Sequence, residues 1–330
     1  MSRIARLVAA VLVAALGLTG AGVAALPAGG ATYPPNPFGG QRLFVDPQSN
    51  AARDAAALSS TDPTTAAALQ RIAGRSQADW YGDWIRTGDL ASVVANRVSQ
   101  ITGAGAYPVL VAYDIPKRDC GSYSGGGATS PDAYRAWIKA FKTGIGTRRA
   151  AVILEPDALA QLGCLSASDQ QVRLTLLKEA VGTLAAGGNV AVYLDAGHAG
   201  WIPAATMADR LAKAGVAGAR GFSLNVSSTG WAADEIAYGR KIAPGIGWKR
   251  FVVDTSRDGL GPATTGPEPW CNPPGRALGA APTTSTGDAL VDALLWVKRP
   301  GESDGACNGG PPAGTWWRDY AVGLAERAAA

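Results

Sequence analysis

Acidic residues recur in this chain at the points where apolar segments give way to Pro or Gly. In α/β folds with parallel strands, the carboxyl ends of the strands meet at one edge, and active sites are built there. Carboxylates gathered at such an edge predict acid/base chemistry on a neutral substrate. Four segments share this design, residues 111–120, 152–157, 192–198 and 296–304, which contain Asp119, Asp157, Asp195 and Asp304 respectively.

The elements that must position these acids follow from the apolar pattern. Most of the apolar runs do not alternate with polar residues, so we expect both faces of each strand to be buried, as in parallel sheets. Strand-like and helix-like segments alternate, which predicts a (β/α) barrel or a wide doubly wound sheet. The seven candidate strands are residues 43–45, 107–113, 151–154, 190–194, 222–226, 251–253 and 294–297.

Helices are predicted between these runs. Asp62 and Pro63 form a start signal, with Asp62 as the cap and Pro63 at the first helical position. The other predicted helices cover residues 131–142, 168–186, 203–214 and 232–242. Trp137 falls on a buried stripe of the first of these, and Val172, Leu176 and Leu177 form a stripe on the second. The Gly-, Pro- and Thr-rich segment 259–287 is predicted to be a loop over one face.

The amino terminus has the pattern of a secretory signal peptide. Arg3 and Arg6 precede an apolar core at residues 7–18 and a small-residue region that ends near residue 31. An uncleaved anchor helix is the alternative, but the apolar core is short for a membrane span. We therefore expect residues 1–31 to be removed, which leaves residues 32–330 as one secreted, monomeric domain that does not bind a membrane.

Charge and cysteine content narrow the function further. Loss of the two Arg of the signal segment lowers the formal net charge from +4 to +2, too little to favour nucleic acid or an anionic membrane. Four Cys in an exported chain predict two disulfides, with three possible pairings. A zinc site conflicts with the spacing, because no Cys-x-x-Cys occurs and His198 is the only His. A metal-dependent hydrolase is disfavoured for the same shortage of His.

Six ordered segments resemble the motifs of glycoside hydrolase family 6, the secreted β-1,4-glucanases. The resemblance runs from Asn36 nearly to the end of the chain. The segments are Tyr-Asp-Ile-Pro-Lys-Arg-Asp-Cys at 113–120, Glu-Pro-Asp at 155–157, Asp-Ala-Gly-His-Ala-Gly-Trp at 195–201, Asp-Thr-Ser-Arg at 254–257, Trp-Cys-Asn at 270–272, and residues 298–305. It implies a distorted (β/α) barrel of about seven parallel strands, a β-1,4-glucan substrate and no cofactor or metal.

The resemblance also implies roles for the acids. Asp157 matches the general acid, Asp119 a residue that modulates its proton, and Asp304 the residue proposed as base, acting on water directly or indirectly. Asp195 matches a supporting acid. The family inverts the anomeric carbon, which requires room for a water molecule between acid and base. Asp114 matches no catalytic role and is interpreted as structural.

Sugar contacts come from aromatic and polar residues. The chain has ten Trp, and sugar C–H faces stack on aromatic rings. Trp316 and Trp317 are interpreted as packing residues. The resemblance implies Trp80, Trp201 and Trp270 as platforms, Tyr113 beside the cleaved sugar, and polar site residues at Arg257, Lys298 and Glu302. Asn225 fits a sugar contact at a strand end, and the single His198 is interpreted as a supporting or sugar-contacting residue rather than as a base.

The segment after Asn225 and the loop lengths bear on substrate specificity. Family members commonly have Asn-Tyr soon after the position of Asn225, whereas this chain reads Val-Ser-Ser-Thr-Gly-Trp, so Trp231 could replace the aromatic residue. Short loops favour an open cleft and an endoglucanase. An exo-acting cellobiohydrolase and a non-catalytic polysaccharide-binding protein are the alternatives.

The positions of the cysteines predict how they pair. Because each Cys flanks a motif at the strand ends, we expect the pairs Cys120–Cys164 and Cys271–Cys307.

Overall fold

Seven parallel strands form one sheet in which each strand lies beside the next one along the chain. The structure is a computed structural model, and it describes residues 35–329. The predicted signal peptide, residues 1–31, lies outside the described residues. The strands lie in the sheet in the order β1 to β7, so each one is hydrogen-bonded to its neighbours in sequence. The strands are β1 (Asp79–Gly82), β2 (Val109–Tyr113), β3 (Ala150–Leu154), β4 (Val190–Asp195), β5 (Gly221–Leu224), β6 (Arg250–Asp254) and β7 (Val291–Leu295).

The sheet curls until its two edges approach each other. Just before β1, the amide of Ala78 donates to the carbonyl of Trp296, just after β7, across 3.0 Å. The indole Nε1 of Trp80 in β1 also donates to the carbonyl of Val297 at 2.7 Å. The edges are therefore tied at their ends without a full strand ladder. The predicted distorted (β/α) barrel of seven parallel strands is confirmed.

The count of seven strands was right, but one assignment was wrong. In the segment 43–45, only Leu43 forms an isolated bridge, to Tyr107, and Val45 is exposed. The edge strand is instead β1, whose sequence Asp-Trp-Tyr-Gly lacks an apolar run. Its position depends on pairing with β2, which the local sequence does not show. Predicted strands 222–226 and 294–297 are also displaced by a few residues.

Helices follow most strands. The five helices between Thr87 and Ile242 cover the outer face of the sheet, and the first two helices and the last one pack together in a separate cluster. The helices are α1 (Asn50–Leu58), α2 (Pro63–Ala73), α3 (Thr87–Gly103), α4 (Pro131–Ile145), α5 (Ala167–Ala185), α6 (Ala204–Lys213), α7 (Ala232–Ile242) and α8 (Arg318–Glu326). The Asp62 side chain caps α2 by accepting from the amide of Thr65, as predicted. Val172 of α5 is exposed, so its predicted place on the buried stripe was wrong. Among residues 35–329, no helix is long and apolar enough to cross a membrane.

Apolar side chains fill both faces of the sheet. The outer layer packs strands against helices and includes Trp137, whose ring stacks on Phe141 at 5.3 Å. The inner layer lies inside the curled sheet and includes Val111, Ile153 and Tyr193. Trp316 and Trp317 pack on a third cluster, as predicted. Because both faces are apolar, polar side chains gather where the strands end.

Candidate active site

Buried carboxylates fix the backbone at the carboxyl ends of the strands. Glu155, after β3, accepts hydrogen bonds from the amides of Asp114 and Ile115, after β2, at 3.0 Å. Burial is the largest effect on this group, and it raises the pKa of Glu155 to about 7 although these hydrogen bonds favour the charged form. Glu155 therefore joins two neighbouring strand ends and contributes no free group to the cleft.

Asp254, at the end of β6, has the same type of role among the last three strands of the sheet. Its carboxylate accepts from the amides of Ser227, Ser256, Val297 and Lys298 at 2.8 to 3.2 Å. These amides belong to the segments that follow β5, β6 and β7. One carboxylate thus sets the relative positions of three loops, including the loop that carries Lys298.

Asp157 follows β3 in a left-handed backbone conformation, with φ of 69°. Its amide donates to Oδ1 of Asp195 at 2.9 Å, and Asp195 also accepts from the amide of Gly197 at 2.9 Å. Burial raises the pKa of Asp157 well above its usual value, and the charges of Asp195, Asp119 and Asp304 raise it further, while Lys298 opposes them. Asp157 therefore holds its proton more tightly than an exposed Asp does.

Asp195 lies at the end of β4 and is 1% exposed. Its Oδ2 accepts from the hydroxyl of Ser223 at 3.0 Å. Burial raises the pKa of Asp195 to about 7, with the hydrogen bonds acting in the opposite direction. Because it accepts from the amide of Asp157, Asp195 positions the backbone of that residue.

Asp119 is enclosed by polar groups from two loops. Its Oδ2 accepts from the amide of Ser124 at 2.9 Å and from the Ser124 hydroxyl at 3.0 Å. Its Oδ1 accepts from Nε2 of Gln161 at 2.8 Å. The Ser124 hydroxyl also lies 3.0 Å from the hydroxyl of Tyr113. Sequence reasoning missed Gln161, which lies one helical turn after Asp157 and directly joins the segments of the two acids.

Asp304 has the opposite electrostatic environment. Its Oδ2 lies 2.7 Å from Nη1 of Arg257 and accepts from the amide of Asn272 at 2.8 Å, while Oδ1 lies 3.1 Å from Nζ of Lys298. Burial alone would raise the pKa of Asp304, but Arg257 and Lys298 outweigh burial and lower it. Asp304 is therefore held as an anion.

Two disulfides support the loops that carry these acids. The pairs are Cys120–Cys164, next to Asp119, and Cys271–Cys307, next to Asn272. Oδ1 of Asn272 accepts from the amide of Asp304 at 2.7 Å, so Asn272 contacts Asp304 through both backbone and side chain. Sequence reasoning included the Trp-Cys-Asn motif but did not assign this role to Asn272.

Aromatic rings lie around the same edge. Trp201 is 37% exposed and Trp270 is 53% exposed, which leaves ring surface free for a ligand. Trp80 is half-buried and meets Tyr113 edge-on at 5.3 Å. The ring of His198 lies 5.1 Å from that of Trp201.

His198 lies in the loop after β4, and its protonation state follows from its surroundings. Its Nδ1 lies 2.8 Å from the carbonyl oxygen of Ala199, a contact that favours an N–H on Nδ1. Burial lowers the pKa of His198, and this contact only partly opposes the effect. The imidazole is therefore neutral near pH 7, in agreement with a supporting role.

Other predicted sugar-contacting residues are engaged with the protein. Asn225 is fully buried, and both its side-chain nitrogen and its side-chain oxygen are bonded within the protein, to the backbone of Gly230 and the carbonyl of Asp254. Arg257 is also fully buried and acts on Asp304. Glu302 is half-buried and pairs with Arg299 at 3.1 Å.

Further groups at this edge were not singled out in the sequence. Tyr123, in the loop after β2, donates to Glu268, in the segment 259–287, at 2.9 Å, and its ring lies 6.0 Å from that of Trp270. These residues are 145 positions apart, so only the fold brings them together. Trp231, which the sequence offered as a replacement aromatic residue, is 47% exposed, so its ring is open to a ligand. Within residues 35–329, no group of three or more His, Cys, Asp or Glu could hold a metal ion.

Comparison with known proteins identifies the family. The profile of glycosyl hydrolases family 6 matches residues 38–328. The chain belongs to this family. Family 6 proteins in the comparison include endoglucanase A from Cellulomonas fimi, 46% identical over 89% of this chain and 62% of that protein, and endoglucanase 1 from Streptomyces halstedii, 44% identical over 81% of this chain and 83% of that protein. The chain therefore spans less than two thirds of the length of the Cellulomonas relative.

A solved family 6 structure is similar over most of the chain. The endoglucanase from Mycobacterium tuberculosis, in complex with methyl-cellobiosyl-4-deoxy-4-thio-β-D-cellobioside, has a TM-score of 0.85 and 45% identity, covering 89% of this chain and 99% of that one. The predicted family is thus confirmed by sequence and by fold.

Proposed function

We propose that this family 6 protein is an endo-β-1,4-glucanase that hydrolyses internal bonds with inversion. Relatives named endoglucanases are 41–46% identical to the chain, whereas relatives named cellobiohydrolases or probable cellobiohydrolases are 30–32% identical. The central supporting observation is the pairing of a neutral Asp157 with an ion-paired Asp304 at one edge of the sheet.

The proposed general acid is Asp157. Protonation of a glycosidic oxygen needs a carboxyl group that keeps its proton near neutral pH. Burial and three neighbouring carboxylates give Asp157 that property. Asp195 positions its backbone, and Asp119 adds negative charge close to its proton.

The proposed carboxylate on the water side is Asp304. Both of its oxygens are in ion pairs, which keeps it charged but makes it a weak base. Its negative charge would stabilise the positive charge that develops on the sugar. The proton of the attacking water would reach Asp304 or another acceptor through intervening water, which agrees with an indirect base.

The proposed substrate contacts extend along the edge of the sheet. Trp201 and Trp270 offer exposed rings, Trp80 and Tyr113 form a corner, and His198 lies beside Trp201. Flat aromatic rings with neighbouring polar groups suit the alternating C–H faces and hydroxyls of a β-1,4-glucan. Lys298 and Glu302 would supply further polar contacts.

We further propose that the protein is secreted after loss of residues 1–31. Two disulfides agree with an oxidising destination. The remaining domain, residues 32–330, would act on glucan outside the cell.

One observation favours an exo-acting cellobiohydrolase as the second candidate. The Tyr123–Glu268 hydrogen bond connects the loop after β2 with the segment after β6, and such a contact could narrow the entry to the site. An enzyme roofed at this point would release cellobiose from chain ends. The proposed endoglucanase would bind in the middle of a chain.

One assay separates these functions. Purified protein is incubated with carboxymethyl cellulose, and reducing ends and viscosity are measured together, with the Asp157→Asn variant as the control for contaminating cellulases. A steep fall in viscosity for few new reducing ends supports the endoglucanase. Release of mainly cellobiose with nearly constant viscosity supports the cellobiohydrolase. No reducing ends from this substrate, mixed-linkage glucan or cellulose would refute both.

A further inference from the structure

Glu235 is a buried carboxyl group to which the proposed mechanism assigns no role. It lies in the first turn of α7 and is 1% exposed. Its Oε2 accepts from the amide of Ala199 at 2.9 Å. Its Oε1 has no hydrogen-bond partner among the described residues. Ala199 lies between His198 and Trp201, so Glu235 contacts the loop that presents a proposed sugar platform.

The same carboxyl group also packs against the segment after β5. A Cβ added at Gly230 would collide with Oε1 of Glu235, so the Gly230 backbone lies directly on this oxygen. The amide of Gly230 donates to Oδ1 of Asn225 at 3.0 Å, and its carbonyl accepts from Nδ2 at 3.0 Å. Glu235 therefore lies between two loops at the same edge of the sheet.

The charges that face Glu235 are predominantly negative. Burial is the largest effect, and with the neighbouring acids it raises the pKa of Glu235 to about 8, although the Ala199 amide opposes the shift. Arg210 of α6 acts on Tyr238 and is bonded to the carbonyls of Leu159 and Ala160. The titratable groups that face Glu235 are Asp234 and Tyr238 on α7, Asp195 on β4 and Asp258 after β6.

Ionisation would place a charge in a site with one donor. A buried carboxylate with one amide hydrogen bond and an unpaired oxygen is costly, and Asp195, Asp234 and Asp258 add repulsion. Water can relieve that cost at Oε1 only if the 198–201 loop and the 225–230 segment separate. The first loop carries Trp201, so opening it would displace a proposed platform before it affects Asp157.

We infer that Glu235, as a neutral carboxylic acid, is a positioning residue that holds the 198–201 loop and the 225–230 segment against each other, and that its ionisation weakens glucan binding at alkaline pH. The inference rests on the proposed function, because it assigns Trp201 to sugar binding. It adds a residue outside the cleft that affects substrate binding, so its effect is expected in KM more than in kcat.

The test is the pH dependence of KM and kcat for the Glu235→Gln variant on a soluble cello-oligosaccharide. Gln keeps an acceptor for Ala199 and cannot ionise. In the wild type, we expect KM to rise at least about threefold between roughly pH 7 and pH 9, with a smaller change in kcat. In the variant, KM should stay flat over that range. Superimposable KM profiles for the two folded proteins would overturn the inference.

Asp234→Asn is the matched control. Asp234 is exposed in the same turn of α7, and its charge raises the pKa of Glu235. Its removal should move the rise in KM to slightly lower pH, whereas Glu235→Gln should abolish the rise. A rise in KM that persists in Glu235→Gln and moves to lower pH in both variants would point to a general charge effect and overturn the assignment to Glu235.

A second variant covers the case in which Glu235→Gln does not fold. Gly230→Ala leaves every titratable group in place and forces the loop away from Oε1. We expect a higher KM even near pH 6, with kcat within about threefold of wild type. An unchanged KM in the folded Gly230→Ala protein would also overturn the inference.

Thermal unfolding tests the same group without substrate. The folded-state pKa is raised from 4.5 to about 8, so the contribution of Glu235 to stability is complete below the lower value and is lost as pH rises through the window. Glu235→Gln should remove that part of the fall in Tm between these values. Equal slopes of Tm against pH would contradict a neutral Glu235. This result stands even if the wild type hydrolyses no glucan, so the two failures are distinguishable.

Discussion

Arg257 donates to Oδ2 of Asp304 across 2.7 Å, and its guanidinium is fully buried. Asp157, at the same edge of the sheet, has three carboxylates as its main electrostatic neighbours. The same side-chain chemistry is therefore held in two protonation states by its surroundings, which is the arrangement that acid-assisted attack by water needs. Lys298 acts on both groups, so it is the best site at which to test their coupling.

Lys298→Met should move both limbs of the pH–activity profile upward. Lys298 lowers the pKa of Asp304 and opposes the raised pKa of Asp157. Without it, Asp304 would gain a proton at higher pH, and Asp157 would keep its proton to higher pH. The measurement is kcat against pH. Lys213→Met, which removes an exposed ion pair with Asp209, is the control and should leave both limbs in place. Limbs that do not move in Lys298→Met would contradict the assignment.

Asp157→Asn should lower turnover on unactivated glucan by about 10²–10⁴, because the amide cannot donate the required proton. Aryl glycosides with very good leaving groups should suffer less. The control is Asp114→Asn, since Asp114 is also a buried acid, and burial raises its pKa to about 8. The turnover of that variant should fall by less than about tenfold. Near-normal glucan hydrolysis by Asp157→Asn would remove it from the role of general acid.

The sequence was informative where a signal is local. The Asp62 and Pro63 start signal was correct, and helix α7 begins and ends where its pattern predicted. Acids at the ends of apolar runs pointed to the edge where Asp119, Asp157 and Asp195 gather. These inferences depend on neighbours in sequence, so one chain was sufficient.

Other features depend on contacts between distant segments. Strand β1 exists because it pairs with β2, and its own four residues carry little strand signal. Asn225 resembled a sugar contact, but loop closure uses its amide group. Gln161 and Glu268 gain their partners only when loops from different strands meet. No local pattern specifies such pairs.

The two disulfides should have separable effects on activity. Each closes a loop of 44 or 36 residues, and loss of either should cost up to about 4 kcal/mol of stability on the chain-entropy estimate. Replacing Cys271 and Cys307 by Ser should also lower kcat, because Asn272 holds Asp304 directly beside that bridge. Replacing Cys120 and Cys164 by Ser is the matched control for stability. The measurements are the Tm of each double variant and the pH dependence of kcat, taken at a temperature at which both variants are folded.

For the Cys271–Cys307 pair, the acid limb should rise as Asp304 loses the Asn272 amide. For the Cys120–Cys164 pair, the acid limb should stay near that of wild type, since Asp304 keeps its partners. An acid limb that moves equally in both double variants would show that the effect is general loosening of the fold and not a change at Asp304.

The stereochemistry of the first product tests the central claim most directly. If Asp157 donates its proton while water attacks from the side of Asp304, each cleavage inverts the anomeric carbon. The measurement is proton NMR of the anomeric protons while a soluble cello-oligosaccharide is hydrolysed, early enough that mutarotation has not equilibrated the new reducing ends. The α-anomer should appear first from the β-linked substrate. Initial appearance of the β-anomer would contradict it, because retention requires a covalent nucleophile that the ion-paired Asp304 does not provide.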